Sequence, residues 1–227
     1  MPQLILGIDD AGRGPVIGPM VLAGCLITEE TEKELKRLGV KDSKQLTRKR
    51  RAFLESIIKE KAESFFLQIT HASEIDGKNH EGTNLNDLEA QMAARIINEI
   101  NKATNANNGK IKVVIDCPST NRVKWRDTVQ TKIENLSNLE ILCEHKADIN
   151  HVAVSAASIL AKEERERQMG ILKEKYGASI GSGYSSDPIT RKFLEKNIKK
   201  LENKGIFRKS WKTWKKANQD SGQKKLY

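Results

Sequence analysis

Short apolar runs and helix-spaced apolar stripes alternate along this chain. Residues 4–8 (Leu-Ile-Leu-Gly-Ile) form a run bounded by Pro2 and by Asp9-Asp10, and predict a buried strand. Residues 20–28 (MVLAGCLIT) predict a second strand, reached through the turn-rich segment 12–19. That connection is too short for a parallel crossover, so the two strands should pair antiparallel. Helical spacing follows over 47–63, with Phe53, Ile57 and Ile58 on one side, and a third strand over 65–70. Leu85, Leu88, Met92, Ile96 and Ile100 recur at three- and four-residue steps and predict a strongly amphipathic helix. A β-branched run at 111–115 ends in Asp116 and is stopped by Pro118. A helix over 122–136, a strand over 139–144, a long helix over 152–176 and a helix over 188–203 complete the pattern. An early hairpin followed by βαβ units indicates a mixed α/β sheet with helices on its faces.

Composition narrows the class. The chain has 227 residues, 37% hydrophobic and 31% charged, which suits a globular domain with a real core. No apolar stretch approaches the roughly 20 residues of a membrane helix. Residues 1–8 lack a secretion signal, and Cys25, Cys117 and Cys143 form neither a zinc pattern nor a disulfide framework, so a cytoplasmic location is expected. The 40 Lys and Arg against 30 Asp and Glu leave a net charge of +10, and basic residues crowd the stretch from Arg191 to Lys216. Interleaved with Phe207, Trp211 and Trp214, they suit either a phosphate backbone or a solvated lysine-rich face.

Four carboxylates share one description. Asp9 and Asp10 follow the first strand, Asp116 follows the strand at 111–115, and Asp148 follows the strand at 139–144. Ligands of α/β sheets sit beyond the carboxyl ends of parallel strands. Carboxylates gathered there repel one another unless cations hold them, and hard oxygen donors select Mg²⁺ or Mn²⁺. Taken singly, Asp116 suits a turn as well as catalysis, and for Asp148 a helix N-cap is the favoured reading. The pair Asp9-Asp10 is harder to explain structurally, and both side chains can ligate only if the chain bends there. The glycines beyond it have the spacing G-x-G-x-x-x-G with Pro15 inside and a strand following, which excludes a dinucleotide fingerprint. They expose backbone beside Arg13 for close approach to a sugar-phosphate chain.

At these residues the chain resembles the type 2 ribonucleases H (ribonuclease HII), archaeal members especially. The resemblance rests on Gly7-Ile-Asp-Asp-Ala-Gly-Arg-Gly-Pro-Val-Ile-Gly-Pro19, Asp42-Ser-Lys-Gln-Leu-Thr47, Val114-Ile-Asp-Cys-Pro118, and Lys146-Ala-Asp148 with Val154-Ser-Ala-Ala-Ser-Ile-Leu-Ala-Lys162. Gly181-Ser-Gly-Tyr-Ser-Ser-Asp-Pro188 and Arg208-Lys-Ser-Trp211 complete it, in the family's order. It implies a ribonuclease H-like fold with a mixed five-stranded sheet flanked by helices and a helical C-terminal extension. The implied domains are 1–180 (catalytic), 181–217 (basic substrate-binding extension) and 218–227 (polar tail). The implied activity is two-metal hydrolysis, with Mg²⁺ or Mn²⁺, of the RNA strand of RNA–DNA hybrids. Cutting 5′ of ribonucleotides embedded in duplex DNA, leaving 3′-hydroxyl and 5′-phosphate ends, is implied too, with roles in ribonucleotide and RNA primer removal.

Carried over by position, Asp9, Asp10, Asp116 and Asp148 hold the metals and are catalytic. Gly12, Arg13 and Gly14 contact the backbone around the ribonucleotide, Tyr184 stacks on its sugar, and Lys44 and Lys162 meet phosphates. The family's opening pair is Asp-Glu, so Asp10 is one methylene shorter than the resemblance predicts. A non-catalytic hybrid-binding module and a DNA junction resolvase of the same fold are the competing classes; the Gly-Arg-Gly and Tyr184 signatures speak against the resolvase. Gln223-Lys-Lys-Leu-Tyr227 begins like a sliding-clamp docking motif but lacks its paired aromatics, and an ordinary polar tail is the favoured reading. A monomer without membrane association is expected.

Overall fold

The computed structural model describes residues 3–41, 46–104 and 109–223. They divide into two compact units, each discontinuous in sequence. The first comprises Met1–Ala11, Val21–Gln68 and Asn86–Glu163; the second comprises Gly12–Met20, Ile69–Leu85 and Glu164–Tyr227.

The first unit carries the sheet. Strands β1 (Leu4–Ala11), β2 (Met20–Thr28), β3 (Ser64–Thr70), β4 (Ile111–Asp116) and β5 (Leu139–Glu144) are ordered β3-β2-β1-β4-β5. β1 and β2 form the expected antiparallel hairpin, while β1–β4 and β4–β5 run parallel, so the sheet is mixed. Helices cover both faces. On one lies α7 (Val152–Tyr176): a Cβ on Gly7 would fall 2.1 Å from the Ala153 backbone, so only glycine lets helix and strand meet this closely. On the other lies α4 (Leu85–Ala103), whose Ile96 would stand 2.3 Å from a Cβ on Gly24.

The sequence predicts a strand ending at Ile8 and a bend at the acidic pair. β1 instead runs on through Asp9 and Asp10, because β2 keeps pairing it, Asp9 opposite Ala23 and Asp10 opposite Leu22. Neighbouring side chains of a strand point to opposite faces. Asp9 therefore shares the α7 face with Gly7, and Asp10 shares the α4 face with Ile8. Both nonetheless line one recess at the end of the strand, so the bend expected as a condition of joint ligation is not required.

Several helices lack the apolar stripe that would have announced them. In α1 (Glu29–Arg37) only Leu35 is buried. The helix is held by its ends: Thr28 caps it by accepting from the Thr31 amide at 3.2 Å, with Glu29, Glu30 and Glu32 in the first turn and Lys36 and Arg37 in the last. α2 (Arg48–Lys61) follows, and α3 (Ala72–His80) is equally weakly patterned. α5 (Arg122–Gln130) stops six residues short of the expected Leu136. The one-turn α6 (Ala147–Asn150) starts after Lys146, which is left-handed at φ 57°.

In the second unit, α8 (Pro188–Leu201) and α9 (Lys212–Gln223) pack with the chain around Val16 and Ile17. Ile17 pairs with Phe207 as an isolated antiparallel bridge, and Phe193, Ile198 and Trp214 fill the cluster. α9 extends to Gln223, into the stretch expected to be tail. Among the described residues no helix is long and apolar enough to cross a membrane.

Candidate active site

The first unit brings Asp9, Asp10 and Asp116 to the walls of one recess at the ends of β1 and β4, closed at the side by Pro118 and Trp125. Asp9 is 6% exposed. Burial pushes its carboxyl well above the ordinary range, and the negative charges of Asp10 and Asp116 push it further. The Ser158 hydroxyl from α7 and the Asp10 amide, which donates to Asp9 Oδ1 at 2.7 Å, pull the other way.

Asp116 is the last residue of β4 and caps no helix of its own segment. Its Oδ1 accepts from the Ala147 amide at 3.1 Å, at the start of α6, while Asn121 caps α5. Asp148 is the second residue of α6 and is buried; Lys146, not Asp148, occupies the cap position favoured for Asp148 taken singly. The Ser155 hydroxyl donates to the Asp148 carbonyl at 2.5 Å. Asp148 does not line the recess, and among the described residues no three acidic, His or Cys side chains close into a metal-ligating cluster.

The donor set nonetheless fits a hard divalent cation. It consists of carboxylate oxygens only, and a cation there would offset both the burial and the neighbouring charges that raise the Asp9 carboxyl. One further carboxylate lines the same recess. Glu89 of α4 is 2% exposed and stands on the sheet face that Asp10 shares. Its signal in the sequence was a carboxylate between apolar positions of an otherwise core-facing helix. Lys162 is half-buried on α7, and Lys44 lies outside the described residues.

The second unit builds the Gly12–Gly14 loop and the loop bearing Tyr184. Gly12 has φ 86°, and a Cβ there would lie 2.4 Å from Arg165 Nε and 2.7 Å from the Pro19 carbonyl, so glycine is required twice over. The Arg208 guanidinium is fully buried and donates to the carbonyls of Gly12 (2.6 Å), Arg13 (2.7 Å) and Gly18 (3.0 and 3.1 Å). Trp211 Nε1 donates to the Gly14 carbonyl at 3.2 Å.

Tyr184 is 39% exposed, so it is no core tyrosine. Arg165 lies beneath it, its guanidinium 5.0 Å from the ring centroid and donating to the Ser182 carbonyl at 3.0 Å. Arg165 and Arg208 escaped the sequence reading of roles, since each acts on residues far away in the chain.

Asp187 ties this loop to α8. It accepts from the Ser182 amide (2.7 Å) and hydroxyl (2.8 Å) and from the Ile189 amide (2.9 Å). These bonds, the Ser182 amide foremost, hold its carboxyl down at about 2. A depressed carboxyl stabilises the fold above its unfolded value of about 3.9, and that contribution is lost as the pH falls toward the folded value. Asp187→Asn should therefore lower the melting temperature at neutral pH and shallow its decline below about pH 4. A variant with the parent's acid limb would show that Asp187 contributes nothing through its charge.

The profile of the family Ribonuclease HII matches residues 6–214 of this chain. The ribonuclease HII of Methanocaldococcus jannaschii is 43% identical over 99% of both chains. Among solved structures, ribonuclease H2 from Pyrococcus horikoshii OT3 superimposes with a TM-score of 0.84, 34% identical over 97% of this chain and all of that one. The ribonuclease HII in a PCNA complex from Archaeoglobus fulgidus gives 0.79, at 33% identity over 92% of this chain and 95% of that one. With the mixed five-stranded sheet and the carboxylate recess at the ends of β1 and β4, these matches place the chain in the ribonuclease HII family, the metal-dependent endoribonucleases of ribonuclease H type 2 that act on RNA–DNA hybrids.

Proposed function

We propose that, beyond cutting the RNA strand of hybrids, the chain cleaves 5′ of single ribonucleotides embedded in duplex DNA, leaving 3′-hydroxyl and 5′-phosphate ends. The observation that carries the catalytic part is the recess in which a buried Asp9 meets the charges of Asp10 and Asp116. Asp9, Asp10, Asp116 and Asp148 would hold two Mg²⁺ or Mn²⁺ ions. Such a pair would supply activation of water and neutralisation of the leaving oxygen of a phosphodiester. The carboxylates would orient the cations, while Ser158 and the Asp10 amide hold the Asp9 oxygens in place.

Selection of ribose falls to the second unit. Amides of the Gly12–Gly14 loop suit the 2′-hydroxyl, and the exposed Tyr184 ring suits the neighbouring sugar. Lys162 and Lys44 are assigned to phosphates. The deciding experiment uses a duplex with one embedded ribonucleotide, in Mg²⁺, Mn²⁺ or EDTA. Cleavage at the 5′ side of the ribonucleotide with either metal, and none in EDTA, is expected. Binding without cleavage in every metal would favour the non-catalytic module, and cutting of an all-DNA junction the resolvase.

The shorter Asp10 has its own consequence. Asp10→Glu should raise the rate in Mg²⁺ more than in Mn²⁺, because Mg²⁺ demands the stricter octahedral geometry. Equal or lower rates in both metals would mean that the recess is adapted to aspartate. A sliding clamp is a second proposed partner, supported by the PCNA complex of the Archaeoglobus relative. The motif residues 224–227 lie outside those described, and deleting 223–227 should abolish clamp binding while sparing cleavage.

A further inference from the structure

The turn Arg208-Lys-Ser-Trp211 reaches the Gly12–Gly14 loop from almost the other end of the chain. Arg208 takes the carbonyls of Gly12, Arg13 and Gly18, and Trp211 takes that of Gly14. The two side chains also brace each other, the Arg208 guanidinium standing 5.0 Å from the Trp211 ring centroid. The described residues contain no cis peptide, and in a planar trans peptide the C=O and the following N–H point in opposite directions. Drawing the Gly12 and Arg13 carbonyls onto Arg208 therefore turns the amides of Arg13 and Gly14 the other way. Two consecutive N–H groups projecting to one side make a donor pair for an oxygen ligand.

The turn itself is anchored from α3. Asp76 is 8% exposed and accepts from the Lys209 amide (2.6 Å), the Ser210 amide (3.0 Å) and the Ser210 hydroxyl (2.6 Å). It grips the two residues between Arg208 and Trp211, and so sets the direction of both side chains. A carboxylate supplies acceptors for all three donors, where an amide side chain supplies a single oxygen.

We infer that Arg208 and Trp211 are positioning residues for ribonucleotide recognition, and that Asp76 sets their register. They hold the Gly12–Gly14 amides toward the ribose without touching substrate. This rests on the assignment of that loop and Tyr184 to the ribonucleotide. A mere staple of the fold would alter stability and affect every substrate equally; a positioning role changes the ratio between substrates.

The test measures kcat/KM on a duplex with one embedded ribonucleotide and on a long RNA–DNA hybrid, alongside the melting temperature. Arg208→Lys keeps the charge but cannot span three carbonyls, and should lower the single-ribonucleotide value by roughly tenfold or more, the hybrid value much less. Trp211→Phe should shift the ratio the same way by a smaller factor. Asp76→Asn should follow Arg208→Lys in direction. Added guanidinium ion should restore part of the single-ribonucleotide rate of Arg208→Ala. If Arg208→Lys does not fold, Trp211→Phe and Asp76→Asn decide. Equal losses on both substrates, or an unchanged ratio, overturn the inference. Tyr184→Ala separates the two levels: if it shifts the ratio and the three variants do not, only the positioning role fails. If none shifts it, the assignment of the loop fails as well.

Discussion

Asp116→Asn should abolish cleavage of both substrates, by at least about 10²–10³-fold, the range seen when one preorganised electrostatic group is removed. The fold should survive. Asp116 lines the recess with Asp9 and Asp10, and its charge is one of the causes that raise the Asp9 carboxyl. A raised carboxyl leaves stability intact below its unfolded value of about 3.9 and erodes it as the pH climbs toward the folded value. At neutral pH without metal the burial of Asp9 and the charges of its neighbours both weigh on the fold, and the substitution relieves the share that comes from Asp116. The melting temperature in EDTA should stay level or rise, while the stabilisation gained on adding Mg²⁺ or Mn²⁺ should shrink. The Asp116 Oδ1 bond from the Ala147 amide at 3.1 Å can be kept by the asparagine oxygen, so α6 need not be released. Parent-like cleavage in the variant would remove Asp116 from the metal site.

Tyr184→Ala should lower recognition of a single embedded ribonucleotide by about 1–3 kcal/mol, or roughly 5- to 150-fold, by analogy with base–aromatic stacking. Hydrolysis of a phosphodiester does not itself require a ribose, so discrimination must come from contacts to the 2′-hydroxyl and its sugar. The ring is exposed and held from beneath by Arg165, 5.0 Å from its centroid, which fixes its plane before substrate arrives. Tyr184→Phe should retain the stacking and lose only what the phenol contributes. The loss should be largest where one junction carries all the discrimination, and smaller on a long hybrid with many registers. Kinetics on the two substrates check this. A Tyr184→Ala enzyme that cuts the single-ribonucleotide duplex at the parent rate would make Tyr184 a loop residue and nothing more.

Much of this was legible along the chain. The five strands, the hairpin and the amphipathic α4 follow from local apolar patterns, because burial of one face imposes a period on any strand or helix that has one. The acidic residues at or near the ends of β1, β4 and β5 were visible for the same reason. α1, α3 and α9 were not, since α1 buries a single apolar residue and α9 little beyond Trp214, and without a buried stripe there is no period to read. The motif order carried the family; the geometry of the site needed the fold. Continued pairing with β2 decided that β1 would not bend at Asp9-Asp10, and sent the two carboxylates to opposite faces. Packing of α4 on the sheet decided that Glu89 would line the Asp10 side of the recess. The grip of Arg208 on the Gly12–Gly18 carbonyls, and of Asp76 on the turn that carries it, spans more than a hundred residues of chain in each case. Such contacts leave no local pattern, because a hydrogen bond to a backbone carbonyl is indifferent to the identity of the residue that supplies it.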